Sequence, residues 1–375
     1  MENNIFKNLP KLGFGLMRLP KKDDAIDIEQ VKAMVDEFLQ AGFKYFDTAH
    51  AYEGSEEAFK AAVATRYPRD SFFLATKLPV WSLKSREEAE LRFNESLERT
   101  GLDYFDFYLL HSLGGSRSEI CEQLGLWDMM QEKKRAGQIR YAGFSFHDKA
   151  EALDALLTKH PEADFVQLQI NYADWLDPII EAQKCYEVAK KHFKPIIVME
   201  PVKGGTLARL PGEVEAIFKG ADEGASPASF AIRFAASLCG VAVVLSGMSD
   251  MEQMRDNIRS LSGFEGLSET ESGAIDEART LLESYRSVAC TACGYCLKSC
   301  PQAIQIPDTI AVLNRYRRFG GLEAAKTRYA KLGEREGKNP ASACIDCGVC
   351  EEVCPQRLKI RDALKEAVGC FSTES

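Results

Sequence analysis

The stretch LGFGLMRLP, residues 12–20, is the first apolar run of the chain, and the way it ends separates two α/β architectures. A doubly wound sheet usually opens with a Gly-rich turn that carries its first strand straight into a helix. Here the run passes instead into Pro20 and a lysine-rich loop. Seven further apolar runs succeed it: FKYFD (43–47), FFLATK (72–77), FDFYLLH (105–111), IRYAGFS (139–145), FVQLQIN (165–171), PIIVME (195–200) and VAVVLS (241–246). Between them lie amphipathic segments such as DIEQVKAMVDEFLQAG (27–42), SREEAELRFNESLERTG (85–101) and SEICEQLGLWDMMQEKKRAG (118–137). Their apolar residues recur at three-and-four spacing, and each closes on a glycine, as helices do. Near-continuous apolar runs joined by helices read as buried parallel strands with crossovers. Eight of them over roughly 260 residues fit a (β/α)₈ TIM barrel.

The chain has 375 residues, with 56 Asp and Glu against 47 Lys and Arg. That acidic balance argues against nucleic acid or an anionic membrane as partner. The start, MENNIFKNLPK, lacks an apolar core of signal-peptide length, and no run is long enough to span a membrane. A cytoplasmic protein is expected, and there clustered thiols signal metal or redox chemistry rather than disulfides.

The thiols are clustered. CTACGYCLKSCP (290–301) and CIDCGVCEEVCP (344–355) each space four cysteines by two, two and three residues and end in proline. This is the C-x₂-C-x₂-C-x₃-C-P run of bacterial ferredoxins, in which the fourth cysteine ligates the other cluster. Cys290, Cys293 and Cys296 are expected to share one 4Fe–4S cluster with Cys354. Cys344, Cys347 and Cys350 would share a second with Cys300. Zinc knuckles or disulfides are the alternatives, and zinc seldom uses this spacing, still less twice. The other cysteines, 121, 185, 239 and 370, read as buried or inert. The periodic pattern breaks near residue 286. The expected organisation is therefore a barrel over 1–285 and a small ferredoxin-like iron–sulfur domain over 286–375, with one inserted helix at about 308–332. That helix carries Arg315, Arg317, Arg318, Lys326, Arg328 and Lys331 and reads either as a solvated face or as a dock for an acidic electron carrier, a ferredoxin or flavodoxin.

Four residues fall at or just past strand ends, which in a barrel meet at the catalytic face: Asp47, Tyr52, Lys77 and His111. A phenol titrates near 10, and a neighbouring ammonium would lower that value toward useful acid strength. Asp47 would hold Lys77 charged, and His111 could orient a substrate oxygen. Such a set protonates a carbonyl oxygen while hydride reaches the carbon. Taken singly, each residue has a bland reading as a cap, a solvated cation or a core histidine.

GFKYFDTAHAY with the subsequent SE, then ATK, LLH, IRYAGFS, VQLQIN and EPVKGG, in that order and at strand ends, resemble the aldo-keto reductases over about residues 8–262. The whole chain resembles the subgroup with a C-terminal dicluster domain. The resemblance implies a barrel that binds NAD(P)H without a Rossmann domain and uses Asp47, Tyr52, Lys77 and His111 as its tetrad, Tyr52 being the general acid/base. It also implies that Ser145 and Gln167 bind the nicotinamide carboxamide, that Met199 lies by the ring, and that Gly247, Gln253 and Asn257 meet the adenosine end. Phe146 stands where the family usually has Asn, and Gly247, Met248 and Gln253 replace its usual Lys-Ser pair and Arg. The implied function is reduction of a small-molecule carbonyl, or oxidation of an alcohol, by a protein that also carries two 4Fe–4S clusters. An electron-transfer enzyme working with a carrier protein and a nucleotide-sensing protein without turnover are the competing readings.

Overall fold

The computed structural model describes residues 5–372 apart from 179, 286, 287, 289, 291–293 and 355. The chain divides into two compact units, Met1–Ala208 with Gly224–Ser272, and Arg209–Glu223 with Gly273–Ser375.

In the first unit all eight apolar runs are strands: β1 (Leu12–Gly15), β2 (Tyr45–Asp47), β3 (Phe73–Leu78), β4 (Phe105–Leu113), β5 (Ile139–Phe146), β6 (Phe165–Gln169), β7 (Ile196–Met199) and β8 (Val241–Gly247). Each pairs in parallel with the next, and β8 returns to β1, so the barrel is closed. Helices α1 (Ile28–Gln40), α2 (Ser55–Phe59), α3 (Arg86–Thr100), α4 (Ser116–Gln123), α5 (Leu126–Arg135), α6 (Ala150–Lys159) and α7 (Ala182–Lys191) come after the first six strands in turn. After β7 come α8 (Gly212–Ala221) and α9 (Pro227–Ser237), and after β8 come α10 (Met251–Leu261) and α11 (Glu269–Ser284). The helix starts are written locally. Asp27 accepts the Gln30 N–H at the head of α1, and Val31, Met34, Val35 and Phe38 form its buried stripe. The helical pattern over 118–137 is not one helix. It is split between α4 and α5, because Gly125 turns left-handed at φ 61°.

The barrel interior is filled by inward-facing side chains, among them Tyr45, Ala75, Phe107, Leu109, Phe165, Ile197, Val243 and Leu245. Phe6 closes the end where the strands begin, with ring centroids 5.2 Å from Tyr141 and 5.7 Å from Phe107. Gly143 is needed at its place. A Cβ there would stand 2.6 Å from the Phe165 carbonyl oxygen and 2.7 Å from its ring. With this end plugged, the strand C-termini form the accessible mouth.

The second unit contains α8, most of α11, α12 (Tyr295–Ser299), α13 (Ile306–Phe319), α14 (Leu322–Gly333), α15 (Val349–Glu352) and α16 (Ile360–Phe371). Its core joins Ile306, Ile310, Leu313, Tyr329, Leu364 and Phe371 to Cys296 and Cys350. The expected single helix at 308–332 is two, α13 and α14. Gly320 at φ 66°, ψ −148° and Gly321 at φ 78°, ψ 59° take backbone conformations that end one helix and start the next. This also changes the basic face. Arg318 is buried and donates to the Leu282 carbonyl at 3.0 Å, while Arg317 is paired with Glu366 at 2.8 Å. Arg328 and Lys331 remain exposed. Among the described residues, no helix is long and apolar enough to cross a membrane.

Candidate active site and cysteine recesses

Consecutive strands each deliver one of the expected residues to the mouth of the barrel. Asp47 ends β2, Lys77 lies one residue before the end of β3, and His111 lies near the end of β4. Ser145 on β5 is in register with Gln167 on β6, Met199 ends β7 and Gly247 ends β8. Tyr52 lies in the loop after β2. Backbone bonds fasten that loop to β3, from Thr48 N–H to Ala75 O at 2.8 Å and from His50 N–H to Lys77 O at 3.2 Å. The hydroxyls of Thr48 and Ser55 meet at 2.7 Å and close it into a tight turn.

Lys77 is the centre of the arrangement. Only 1% exposed, it donates to Asp47 Oδ1 at 2.5 Å and to the Thr48 carbonyl at 2.7 Å, and its Nζ lies 5.0 Å from the centroid of the Tyr52 ring. Burial opposes its charge, but the charge of Asp47 and its interactions with Asp47 and Tyr52 outweigh this and raise it above the ordinary lysine value. The carboxyl of Asp47 is raised by burial and pulled back by Lys77. Tyr52 differs from expectation. Lys77 does pull its phenol down, but burial is the larger influence and the net shift is upward. The hydroxyl therefore keeps its proton throughout the neutral range. His111 is held down at about 2, by burial first and then by Lys77, His147 and Arg117, so the imidazole is neutral. Its ring lies 5.7 Å from Tyr52 and 5.0 Å from Trp81.

Among the described residues, the site's buried polar atoms without a hydrogen-bond partner include His111 Nδ1 and Gln167 Oε1, as well as Asp47 Oδ2. Ser145 Oγ accepts the Ser112 N–H at 2.7 Å, which leaves its own hydrogen to donate. These are the groups a carboxamide could satisfy. On the far side, Asn257 donates to Ser246 Oγ at 2.7 Å and Gly247 is exposed. Gln253 is spent on the head of α10: its N–H and amide donate to Asp250 at 2.8 and 2.7 Å, and its Oε1 accepts the Ser249 N–H at 2.9 Å. Met248 is fully buried in the core. Trp81 lines the mouth, whereas Trp175 packs on Tyr186 and Phe234 at 5.4 and 5.5 Å. Sequence reasoning missed Arg117, whose guanidinium reaches back to Ser112, since neither periodicity nor a strand end marks it.

In the second unit the described cysteines of the two repeats line two separate recesses. Cys300, Cys344, Cys347 and Cys350 surround one of about 320 Å³ that opens to solvent, with Ile304, Ile306 and Leu364 among its apolar walls. Cys290, Cys296 and Cys354 line another of about 320 Å³, with Pro307, Ile310 and Ile360. Cys293 lies outside the described residues. The two repeats share one described feature: Gly294 and Gly348 turn left-handed at φ 77° and 80°, and each starts a short helix, α12 and α15. Among the described residues, no three Cys, His, Asp or Glu side chains converge as ligands of a single ion. The cysteines line recesses instead, which suits a polynuclear core. Burial, Glu351 and the crowded thiols of Cys344, Cys296 and Cys300 push Cys350 up to about 11.

A closed parallel barrel with a buried acid–base cluster at its C-terminal mouth, joined to a cysteine-rich module, has the architecture of an oxidoreductase. The comparisons give the family. The aldo/keto reductase family model matches residues 11–280 and a 4Fe-4S dicluster domain model matches residues 289–358. The chain belongs to the aldo/keto reductase family and carries a C-terminal 4Fe–4S dicluster domain. An aldo-keto reductase of Mycolicibacterium vanbaalenii is 31% identical over 257 residues, covering 68% of this chain and 84% of that one. One of Mycobacterium avium is 29% identical over 250 residues, covering 67% and 80%. In fold, the chain resembles the crystal structure of an aldo-keto reductase from Klebsiella pneumoniae in complex with NADPH, with TM-score 0.59 and 22% identity over 72% of this chain and 90% of that one.

Proposed function

We propose that the barrel reduces a carbonyl compound to an alcohol, or runs the reverse reaction, with NAD(P)H as hydride donor and Tyr52 as the acid that protonates the oxygen. The observation that carries this is Lys77, buried and charged between Asp47 and the Tyr52 ring, beside a neutral imidazole. The bound nicotinamide supplies two electrons and a hydrogen to the carbonyl carbon. Everything else falls to the chain. His111 is neutral and so can donate a hydrogen bond to the carbonyl oxygen without competing for its proton. Tyr52 keeps its phenolic proton until negative charge develops on that oxygen, then transfers it. Lys77 stabilises the phenolate left behind, and Asp47 keeps Lys77 in place and charged. Ser145 and Gln167 would hold the carboxamide, Met199 would lie beside the ring, and Gly247 and Asn257 would take the adenosine end, with Gln253 holding the turn.

In the C-terminal module we assign one 4Fe–4S cluster to Cys300, Cys344, Cys347 and Cys350 and a second to Cys290, Cys293, Cys296 and Cys354. The recesses support both assignments, and such clusters supply one-electron transfer. Cys347 is exposed, so electrons would enter or leave at its recess. An acidic one-electron carrier such as a ferredoxin or flavodoxin is the partner this calls for, and Arg328 and Lys331 are cations free to face it.

The test is Tyr52→Phe, assayed with methyl 4-formylbenzoate as probe. General acid catalysis contributes about 10²–10⁴-fold, so turnover should fall by that factor while NADPH affinity changes by less than about threefold. Turnover close to the parent's would remove Tyr52 from the reaction.

A further inference from the structure

Arg117 is the second residue of α4, just beyond the end of β4. Its Nη1 donates to the carbonyl oxygen of Ser112 at 3.0 Å and also to the Ser112 hydroxyl. Ser112 is itself held in the left-handed region at φ 62°, and its N–H is bonded to Ser145. On its other side the guanidinium lies 5.7 Å from the centroid of Trp81, an aromatic 45% exposed at the mouth. Trp81 in turn touches His111, and His111 touches Tyr52, with ring centroids at 5.0 and 5.7 Å. Contacts therefore run unbroken from the proposed proton donor to a fixed guanidinium.

That guanidinium has no acid partner among the described residues. The carboxylate of Asp148 beside this loop is already engaged, accepting the N–H groups of Gly115 and Lys149 at 2.8 Å each. Such an arrangement is unusual in a protein where acids outnumber bases, 56 to 47. The two bonds to Ser112 use Nη1 and leave Nε and Nη2 without a partner among the described residues, the pair of donors that grips a carboxylate two-pronged. Ser112 and Trp81 fix the group in advance, so little ordering cost remains for a ligand to meet. Its charge is already felt at His111, where it helps to keep the imidazole neutral.

We propose that Arg117 is a specificity residue that binds a carboxylate carried by the substrate, so that the site prefers oxo acids to neutral aldehydes and ketones. The carbonyl would lie against Tyr52 and His111, the carboxylate at Arg117, and the carbon skeleton between them against Trp81. This inference rests on the carbonyl-reduction reading of the barrel, and the experiment separates the two.

The probes are 4-formylbenzoate and its neutral methyl ester, which offer the same aldehyde with and without the charge. At saturating NADPH, the parent should favour the acid by about tenfold to a hundredfold in kcat/KM, mostly through KM, as expected for a charge-assisted two-pronged contact. In Arg117→Met the acid-to-ester ratio should collapse toward one, and Arg117→Lys should restore part of it. A ratio near one in the parent, or one that survives in Arg117→Met, overturns the proposal. So does a loss that proves to be weakened NADPH binding, because the arginine would then serve the cofactor. If neither aldehyde is turned over, the carbonyl reading fails by itself. Calorimetric titration of terephthalate into the NADP⁺-loaded protein then decides the arginine. Binding that disappears in Arg117→Met and persists in Arg117→Lys supports the proposal, and absence of binding to the parent overturns it.

Discussion

Replacing Lys77 by Met tests the core of the site through stability, independently of any substrate. Lys77 and Asp47 are 1% and 5% exposed, so removing the ammonium leaves a carboxylate with almost no solvent to compensate it. Breaking a buried pair in this way costs about 3–5 kcal/mol. The cost should depend on pH, in a direction that can be worked out. Burial already raises the folded Asp47 carboxyl, and the two influences that lower it most both come from Lys77. Without them it rises further, while the unfolded carboxyl stays near 3.9. Above that value the unfolded state is ionised and the folded variant holds a proton, so stability falls with rising pH by at most about 1.4 kcal/mol per unit until the folded carboxyl ionises. The variant's deficit should therefore be clearly smaller at pH 5.5 than at pH 8. Urea unfolding followed by tryptophan fluorescence is the assay, since Trp81, Trp127 and Trp175 all lie in the first unit. The double variant Asp47→Asn/Lys77→Met should recover most of the loss and all of its pH dependence. A deficit that is the same at both pH values, or smaller than about 1 kcal/mol, would refute the idea that Lys77 neutralises Asp47.

Two further outcomes are expected. Anaerobically purified protein should contain about eight iron and eight acid-labile sulfide per chain, the content of two four-iron clusters, whereas stoichiometric zinc without sulfide would contradict the cysteine assignment. NADH and NADPH should bind within about tenfold of each other by fluorescence titration, because Gly247 and the spent Gln253 offer no phosphate clamp and Arg255 is tied to Glu37 at 2.9 Å. Glu37→Gln should free Arg255 and shift the balance toward NADPH, and a hundredfold NADPH preference in the parent would reject this reading.

The barrel was legible because its strands are buried on both sides and so appear as apolar runs that no other element interrupts. Its helices were legible where a capping residue and a stripe coincide, as at Asp27 and the Val31–Phe38 face. Two long helical patterns were joined across breaks that only backbone conformation shows, at Gly125 and at Gly320–Gly321, since an apolar stripe continues in register past a glycine. Asp250 and Gln253 form the Asp-x-x-Gln signature of a helix cap, and that signal was available in the sequence. That Asp47, Tyr52, Lys77 and His111 lie together was legible because strand ends in a barrel converge by topology. The direction of the Tyr52 shift was not, because the sequence shows a neighbouring lysine but not the degree of burial that outweighs it. Arg117 was illegible for a similar reason. Its placement depends on a left-handed serine five residues earlier, which no residue pattern announces.

The chemistries proposed for the two modules move electrons in different numbers, and this leads to a prediction about the whole protein. The chemistry proposed for the barrel moves two electrons together as hydride, whereas a 4Fe–4S cluster accepts one at a time. Direct exchange between them would need a converter, a flavin or a substrate able to hold one unpaired electron. The residues at the barrel mouth are suited to the opposite task. In the proposed reaction Lys77, Asp47 and a neutral His111 would stabilise a phenolate and a polarised carbonyl, both closed-shell species, through fixed charge and hydrogen bonding. NADPH together with a carbonyl substrate should therefore leave the cluster absorbance near 400 nm unchanged over many turnovers of anaerobic protein, while dithionite, a one-electron reductant, should bleach it within seconds. If NADPH bleaches the clusters at a rate comparable to carbonyl reduction, then the chain holds a converter. The barrel site would in that case be one half of an electron-splitting enzyme rather than a reductase with an independently reduced cluster module.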